Sequence, residues 1–422
     1  MKDRLLHTPE GVRDIYNVEC AKKSVLESKL KDRLRLYGYE EIRTPSFEFF
    51  EIFNTERGTV SAREMYKFFD RDGNMLVLRP DITPSIARAV SKYYGDEMFP
   101  MRFFYLGNIF RNHSSYQGRL KEVTQLGAEF IGSREASADA EVIAAAVDLL
   151  LESGLTDFQI DIGQVGFFKA LVKEAGLDSD TEEAMRLLIE NKNYFGIETL
   201  VEKLPIAEEI KMVLTKLPQW FGGVDMLKEA KQMTAGLSAV LALESLEHIY
   251  ALLCQYGFEK YISFDLGMLS EYHYYTGTIF KGYTYGTGEA VLKGGRYDHL
   301  MGQFGKPAAS TGFAIEIDRL LTALSRQKID VADDITSVLV LYEKENAAAA
   351  IAFGAGLRAK KIRTALLNFR GGCTTADYMA YCQHHQLDKI CRLLNDAEAE
   401  LIDAFTGVSG RMLIKDVWEA LR

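Results

Sequence analysis

The sequence lacks long apolar runs, a signal segment and paired cysteines. None of its apolar runs approaches the roughly 18 residues of a membrane-spanning helix, so we expect no membrane segment. The amino terminus, MKDRLLHTPEGVRD, has no apolar stretch typical of a secretory signal, and the cytoplasm is therefore the expected location. The five cysteines are scattered and odd in number, so no disulfide framework is expected.

An excess of basic charge is also missing. The chain carries 50 Lys and Arg against 60 Asp and Glu, a net charge of −10, whereas dedicated nucleic-acid-binding proteins are usually basic. The sequence contains no Walker loop, no dinucleotide glycine fingerprint and no short-period repeat. What is present is a 422-residue globular composition, 47% hydrophobic, with room for two or three domains.

The order of predicted strands and helices indicates an α+β fold. Turn residues between apolar runs predict antiparallel hairpins over residues 65–80 and 101–132. We predict a core domain over residues 1–325 that contains an almost purely helical insertion at 175–255. Residues 334–422 predict a small carboxy-terminal α/β domain of βαβ type.

Two polar side chains follow a strand in the turn LRPDIT. Asp81 and Thr83 both present hydrogen-bond acceptors and could jointly receive an ammonium group. The same residue types are favoured where a helix starts, and a helix is predicted here. Taken alone, the turn favours the helix start.

A basic loop and a polar strand come next. Arg111 ends a strand in FRNHSSYQGRL and could hold a carboxylate or phosphate with two hydrogen bonds, or be a solvated surface residue; Arg119 follows the loop. Gln125 and Glu129 lie at even spacing on the next strand and therefore share one face. Polar residues in such a strand more often face solvent than a ligand, so both interpretations stay open.

Three later segments add candidates. In FDLGMLSEYHYYTGTIF, Tyr274 and Tyr275 enter a predicted strand that is preceded by acidic rather than basic residues. KGGRYDHLMGQFG, residues 293–305, contains Arg296 and by itself indicates a turn. In TGFAIEIDRLL, Arg319 lies in an apolar helix, which predicts a ligand or a carboxylate partner such as Glu316 or Asp318.

The cysteines and histidines near the carboxy terminus are candidates for a metal site. They are Cys373, Cys382, His384, His385 and Cys391. They lack the close cysteine pair of typical structural zinc sites, so we expect no metal. No cofactor is expected either.

Together, these segments resemble the core of a class II aminoacyl-tRNA synthetase, and specifically the histidyl-tRNA synthetase family. GYEEIRTPSFEFFEIF is similar to motif 1, which supports a dimer interface, FRNHSSYQGRLKEVTQLGAEFIG to motif 2 and GFAIEIDRLL to motif 3. YYTGTIF and GGRYD are similar to segments particular to histidine recognition, and LRPDIT to the turn that holds the amino acid's ammonium. The resemblance covers residues 8–325, and the tail more weakly. It implies an antiparallel sheet flanked by helices.

The resemblance also implies a histidine-binding set of seven residues. These are Asp81, Thr83, Arg111, Gln125, Glu129, Tyr274 and Tyr275. Asp81, Thr83 and Gln125 would receive the ammonium and Arg111 would face the carboxylate, while Glu129 and the two tyrosine hydroxyls would contact the imidazole. Arg119, Arg296 and Arg319 match motif positions whose roles stay open.

The sequence departs from the synthetases where ATP is handled. Ser270 stands where their catalytic arginine lies, next to Glu271, and His113 replaces the acid of motif 2. Ser114 and Glu316 replace a motif 2 arginine and a motif 3 glycine. Adenylation needs cations aimed at developing negative charge, and losing one could cost roughly two to four decades of rate. We expect histidine binding without activation, and name no catalytic residue.

The tail differs too. Residues 334–422 hold 11 basic and 11 acidic residues, so the excess positive charge that tRNA binding normally needs is missing.

With these departures, the chain resembles a second family on the same scaffold, the regulatory subunits of ATP phosphoribosyltransferase. That resemblance implies a homodimer within a hetero-oligomer, expected to be a hetero-octamer, with a short catalytic subunit as partner. Its role would be to enable the first step of histidine biosynthesis and to transmit feedback inhibition by histidine. The alternatives are an authentic histidyl-tRNA synthetase and a histidine-sensing relative that regulates another partner.

Overall fold

The computed structural model describes most of the chain. It covers residues 3–53, 60–113, 119–269, 274–331 and 336–421. The sequence predictions on Ser114, Ser270 and Glu271 therefore concern positions outside the described residues. Within the described stretches, every helix is too short or too polar to span a lipid bilayer.

The larger of two compact units comprises residues 1–13 and 26–331. Its strands are β1 (Glu40–Glu41), β2 (Phe47–Phe49), β3 (Lys67–Phe69), β4 (Met75–Leu78), β5 (Met101–Phe110), β6 (Glu122–Ile131), β7 (Phe158–Gln164), β8 (Phe221–Gly222), β9 (Ile262–Asp265), β10 (Thr278–Thr284), β11 (Leu292–Arg296) and β12 (Ser310–Glu316). Nine of them form one sheet in the order β1-β5-β6-β12-β11-β10-β7-β9-β8, and β2-β4-β3 form a second. In the large sheet, the described pairs β1–β5 and β7–β9 are parallel and the others antiparallel.

The described part of the chain up to residue 331 contains ten α-helices. They are α1 (Asn17–Leu36), α2 (Thr83–Tyr93), α3 (Ala136–Glu152), α4 (Val165–Ala175), α5 (Ser179–Glu190), α6 (Tyr194–Glu202), α7 (Glu208–Lys216), α8 (Val224–Met233), α9 (Val240–Gln255) and α10 (Ile317–Arg326). Helix α3, rich in Ala, Val and Leu, is buried along most of its length and packs on β6, β11 and β12 and on α9. Helices α4 to α9 follow one another with only a short 3-10 helix (Leu217–Gln219) and the two-residue β8 between them, in the region where the sequence predicts a helical insertion.

Both predicted hairpins are confirmed. β3 and β4 pair antiparallel around a turn in which Asp70 Oδ1 accepts hydrogen bonds from the backbone N–H groups of Asp72 and Asn74, at 2.9 and 2.8 Å. Gly73 adopts φ +84°, a backbone conformation that glycine allows at little cost. β5 and β6 pair along ten residues each, from Met101 opposite Ile131 to Phe110 opposite Glu122.

The prediction of a turn for residues 293–305 is wrong at its beginning. Lys293 to Arg296 belong to strand β11, which pairs with β10 and β12. The paired glycines at 294 and 295 suggest a turn in the sequence, but they are needed because the aromatic rings of Phe280 and Tyr275 lie against their backbone.

The smaller unit comprises residues 14–25 and 332–422. From residue 336 onward its elements are β13 (Ser337–Tyr342), α11 (Ala347–Ala359), β14 (Arg363–Asn368), α12 (Thr375–His385), β15 (Lys389–Leu393), β16 (Glu398–Asp403), β17 (Ser409–Leu413) and α13 (Ile414–Ala420). The sheet order is β14-β13-β15-β16-β17, with β13 parallel to both neighbours. Cys382 and Cys391 are buried in different apolar clusters of this unit, so they do not converge.

Candidate functional site

All seven residues predicted to bind histidine line a single small cavity. It lies in the larger unit, over strands β6, β11 and β12. The predicted members are Asp81, Thr83, Arg111, Gln125, Glu129, Tyr274 and Tyr275. The structure adds Lys293, Tyr297, Gly312 and Glu316, among others. Residues that are up to 235 positions apart in sequence, from Asp81 to Glu316, thus meet at one place.

Strand β6 supplies the floor of the cavity. Gln125 and Glu129 lie on the same face of this strand, as the even spacing predicted, and both are buried, with 5% and 2% of their surface exposed. The alternative that they face solvent is therefore wrong. They are covered because β6 is an inner strand of the sheet, paired with β5 on one side and β12 on the other.

Glu129 is the most enclosed acid of the site. Its Oε1 accepts a hydrogen bond from the Thr83 hydroxyl at 2.7 Å, and its Oε2 accepts one from the Tyr297 hydroxyl. The strand partner opposite Glu129 is Gly312, and a Cβ atom there would overlap the carboxylate. Burial, with a smaller contribution from the nearby Asp81 charge, raises the pKa of Glu129 to about 8, although the two hydroxyl donors oppose the shift.

This burial has a consequence for stability that can be measured on the ligand-free chain. Between pH 4.5 and about 8, folded Glu129 keeps its proton while the unfolded chain has lost it, so raising the pH lowers the free energy of unfolding. The contribution is about 1 kcal/mol per pH unit. We expect Glu129→Gln to remove it. Urea unfolding from pH 5 to 8 should show the wild type losing stability relative to the variant; a pH-independent difference would contradict the assignment.

Hydrogen bonds from Arg79 hold the turn that carries Asp81 in place. Arg79 is buried, and its guanidinium donates to the backbone oxygens of Asn108 and Thr44, both at 2.8 Å. Helix α2 begins at Thr83 with Ile82 as its N-cap residue and without a side-chain cap. Asp81 Oδ1 accepts from the Ile82 backbone N–H at 2.7 Å, so Asp81 lies at the start of the helix but does not cap it. It also lines the cavity, so the two interpretations are compatible.

The side-chain oxygen of Gln125 has an unusual environment for a buried acceptor. Among the described residues, no donor reaches its buried Oε1 atom. A buried polar atom without a partner is costly, on the order of 1–3 kcal/mol, and often marks a place where a ligand or water binds. Since Gln125 lines the cavity together with Asp81, this part of the site is suited to a ligand with N–H donors or positive charge.

Arg111 supplies positive charge to the same cavity. The residue follows β5, and its backbone N–H donates to the carbonyl of Lys121 at 2.8 Å. Its side-chain Nε donates to the Pro80 carbonyl at 3.3 Å. It is partly buried rather than fully solvated, which corrects the surface interpretation. With Lys293 it gives the cavity two basic side chains to set against its carboxylates.

Aromatic rings form a wall of the site. Tyr274 packs against Tyr275 at 4.8 Å between ring centroids and against Tyr297 at 5.8 Å. Tyr297 follows the predicted Arg296 directly, but the sequence alone did not single it out. Its part in the site depends on the contact with Glu129, 168 residues away, which no local pattern reveals.

Arg296 lies outside this cavity. Its guanidinium is buried and pairs with Asp139 at 2.9 Å, and it also donates to the Ser133 carbonyl at 2.9 Å and to Asp298 at 3.2 Å. Its backbone carbonyl accepts from the Thr276 N–H at 2.8 Å. Arg296 thus fixes the backbone next to Tyr297 and Tyr275 without touching the cavity.

Arg119 and Arg319 line a second, larger cavity of about 1030 Å³. It adjoins the first, since Arg111, Lys293, Glu316 and Ala290 line both. The predicted partner Glu316 does pair with Arg319, at 2.8 Å, whereas Asp318 accepts from the Thr124 backbone N–H instead. His113 also lies here, and burial lowers its pKa.

Comparison with known proteins supplies the family context. A family model described as histidyl-tRNA synthetase matches residues 11–320. The ATP phosphoribosyltransferase regulatory subunit of Acetivibrio thermocellus is 39% identical over 420 residues, covering 100% of both chains. The protein of the same name from Clostridium acetobutylicum is 41% identical over 320 residues, covering 75% of this chain and 79% of its own.

Solved structures agree on the fold. The crystal structure of an ATP phosphoribosyltransferase regulatory subunit/histidyl-tRNA synthetase from Bacillus halodurans superposes with a TM-score of 0.81 at 30% identity, covering 93% of this chain and 99% of the other. A histidyl-tRNA synthetase from a Nostoc species gives a TM-score of 0.83 at 18% identity over 99% and 98% of the two chains, and supports the fold alone. The predicted class II synthetase-like α+β fold is confirmed.

Proposed function

Since this chain belongs to the family of ATP phosphoribosyltransferase regulatory subunits, we propose that it binds free histidine in the small cavity and transmits that signal to a separate catalytic subunit. The family, as predicted from the sequence, is confirmed. The observation that carries the histidine proposal is the convergence of seven predicted residues on one cavity that is lined by both acidic and basic side chains. The proposal places the chain in the cytoplasm, together with amino-acid biosynthesis.

The charges of the cavity suit a free amino acid. Asp81, Thr83 and Gln125 Oε1, to which no described residue donates, would receive the ammonium, and Arg111 would hold the carboxylate with charge-assisted hydrogen bonds. Glu129, with the hydroxyls of Tyr274 and Tyr275, would contact the imidazole. A site whose buried polar groups need these partners would reject amino acids that leave them unpaired.

We propose that the chain itself catalyses nothing. In our reading, Ser270 takes the place of the synthetase arginine, and Glu316 introduces a carboxylate beside Arg319. The first change removes positive charge and the second adds negative charge in the region where adenylation would need cations. The balanced charge of residues 334–422 likewise argues against tRNA as a ligand.

The partner would be a short-form catalytic subunit that makes phosphoribosyl-ATP from ATP and phosphoribosyl pyrophosphate. We propose a homodimer of this chain inside a hetero-octamer. Exposed phenylalanines on the β2-β4-β3 sheet, close to the motif 1 segment, support a protein-protein contact there: Phe47, Phe49, Phe68 and Phe69. Feedback then requires that histidine bind the less active state of the complex more tightly, by about 1–3 kcal/mol.

Reconstitution tests this function. We expect the short catalytic subunit to be nearly inactive alone and to gain at least about tenfold in phosphoribosyl-ATP formation when this chain is added, a rate effect of about 1.4 kcal/mol or more. Histidine should then inhibit the mixture. The measurement is the initial rate with and without this chain and with and without histidine.

The same protein preparation separates the alternatives. Histidine-dependent exchange between ATP and pyrophosphate by this chain alone would contradict the proposal and favour an authentic synthetase. No exchange, no rescue and clear histidine binding would favour a sensor that acts on a different partner.

A further inference from the structure

The larger cavity has a charge opposite to that of the chain. Among the described residues that line it, eight are basic and four acidic, although the whole chain has a net charge of −10. The basic residues are Arg13, Arg111, Arg119, Lys121, Lys281, Lys293, Arg319 and Arg326. The acidic ones are Glu64, Glu289, Glu316 and Asp318. A concave surface with this excess of positive charge raises the local concentration of anions.

Two of its arginines are already bound to one carboxylate of the chain. Glu289 Oε1 accepts from Arg119 at 2.9 Å, and Glu289 Oε2 pairs with Arg319 at 2.8 Å. Glu289 thus bridges two basic groups with its two oxygens, which is also how a phosphate group bridges arginines. Arg319 receives a second carboxylate from Glu316 at 2.8 Å.

The bridge formed by Glu289 contributes little to the stability of the fold. The side chains of Glu289 and Arg119 are 47% and 55% exposed, and such pairs contribute little to stability. Glu289 lies in the connection between β10 and β11 and, unlike Glu316, lines only the larger cavity. Its charge can therefore be removed without changing a side chain that lines the proposed histidine pocket.

We propose that Glu289 acts as an internal anion that occupies a polyphosphate-binding cavity and keeps it closed to polyphosphate ligands. The cavity has the size and the positive charge for such a ligand, but the two arginines that would bind it are neutralised by the carboxylate of Glu289. This inference does not rest on the histidine proposal, because it concerns a different cavity and a different ligand.

Removing the charge of Glu289 should open the site. We expect Glu289→Gln to bind inorganic triphosphate at least about tenfold more tightly than the wild type, because a repulsive carboxylate disappears and Arg119 and Arg319 are released. Glu289→Gln/Glu316→Gln should bind more tightly still. The gain should shrink at high ionic strength, since the contacts are partly exposed. Calorimetric titration of the full-length chain measures each affinity.

A matched variant tests whether the position of the charge matters. Glu64 lines the same cavity, but its carboxylate faces His113, at 3.7 Å, rather than the two arginines. Glu64→Gln changes the net charge by the same amount and should alter triphosphate affinity less than about threefold, as expected for a charge that is more distant from the ligand. An equal gain in Glu64→Gln and Glu289→Gln would overturn the proposal.

Two further results would also overturn it. One is a wild-type chain that already binds triphosphate as tightly as Glu289→Gln. The other is a Glu289→Gln or Glu289→Ala variant that melts like the wild type yet shows no gain. Repeating the titration with ATP distinguishes the ligand source: a gain for both means that a nucleotide fits, and a gain for triphosphate alone restricts the site to the phosphate chain.

Discussion

Replacing Arg296 by alanine is expected to lower the free energy of unfolding by about 3–5 kcal/mol. The pair it forms with Asp139 is almost fully enclosed, with 8% and 4% of the two side chains exposed. The substitution would leave Asp139 buried inside the molecule without its counter-ion, next to Asp298. Urea unfolding at pH 7 measures the change.

The pH dependence identifies the cause of this loss. Burial already raises the pKa of Asp139 above its ordinary value, and Arg296 opposes the shift. Without Arg296 the pKa should rise further, so the variant should lose stability as pH rises and should be partly rescued by Asp139→Asn. Arg43→Ala is the control: its pair with Glu41 at 2.9 Å is 76% exposed on the arginine side and should contribute under about 1 kcal/mol. A similarly small loss for Arg296→Ala would contradict the buried-pair argument.

Part of the site could be predicted because strand geometry is visible in a single segment. The spacing of Gln125 and Glu129 placed them on one face, and this holds for any regular strand. What the spacing could not show is which face is covered. That depends on β12 lying beside β6, so that Gly312 comes to lie opposite Glu129. The pairing joins segments about 180 residues apart, and no local pattern encodes it.

The same limit explains the residues that sequence reasoning missed. Neither Tyr297, although it lies in the GGRYD segment, nor Glu289 was singled out as a site residue, and each gains its role from a distant partner, Glu129 and Arg119 respectively. The glycines at 294 and 295 were misleading for a related reason. Glycine is typical of turns, but it also occurs in strands where another side chain needs the space of the missing Cβ.

Replacing Arg111 by alanine is expected to weaken histidine binding at least about 100-fold, or about 2.7 kcal/mol. On the proposed orientation, Arg111 is the group that holds the ligand's carboxylate, and a charge-assisted bond in a partly buried site is among the strongest that a protein makes. Calorimetric titration with histidine at pH 7 measures the loss. Arg119→Ala is the matched control, because Arg119 lines only the larger cavity and should change the affinity less than about twofold.

Gln125→Leu provides a second test, because this substitution should raise the stability of the ligand-free chain and lower its affinity for histidine. Its Oε1 is buried without a donor among the described residues, so removing it should stabilise the ligand-free chain by about 1 kcal/mol. Histidine affinity should fall about tenfold, since one acceptor for the ammonium is lost. If Gln125 had a structural role instead, its replacement would lower the stability of the chain. If both variants bind histidine like the wild type, the ligand's polar ends lie elsewhere and the orientation proposed for it is wrong.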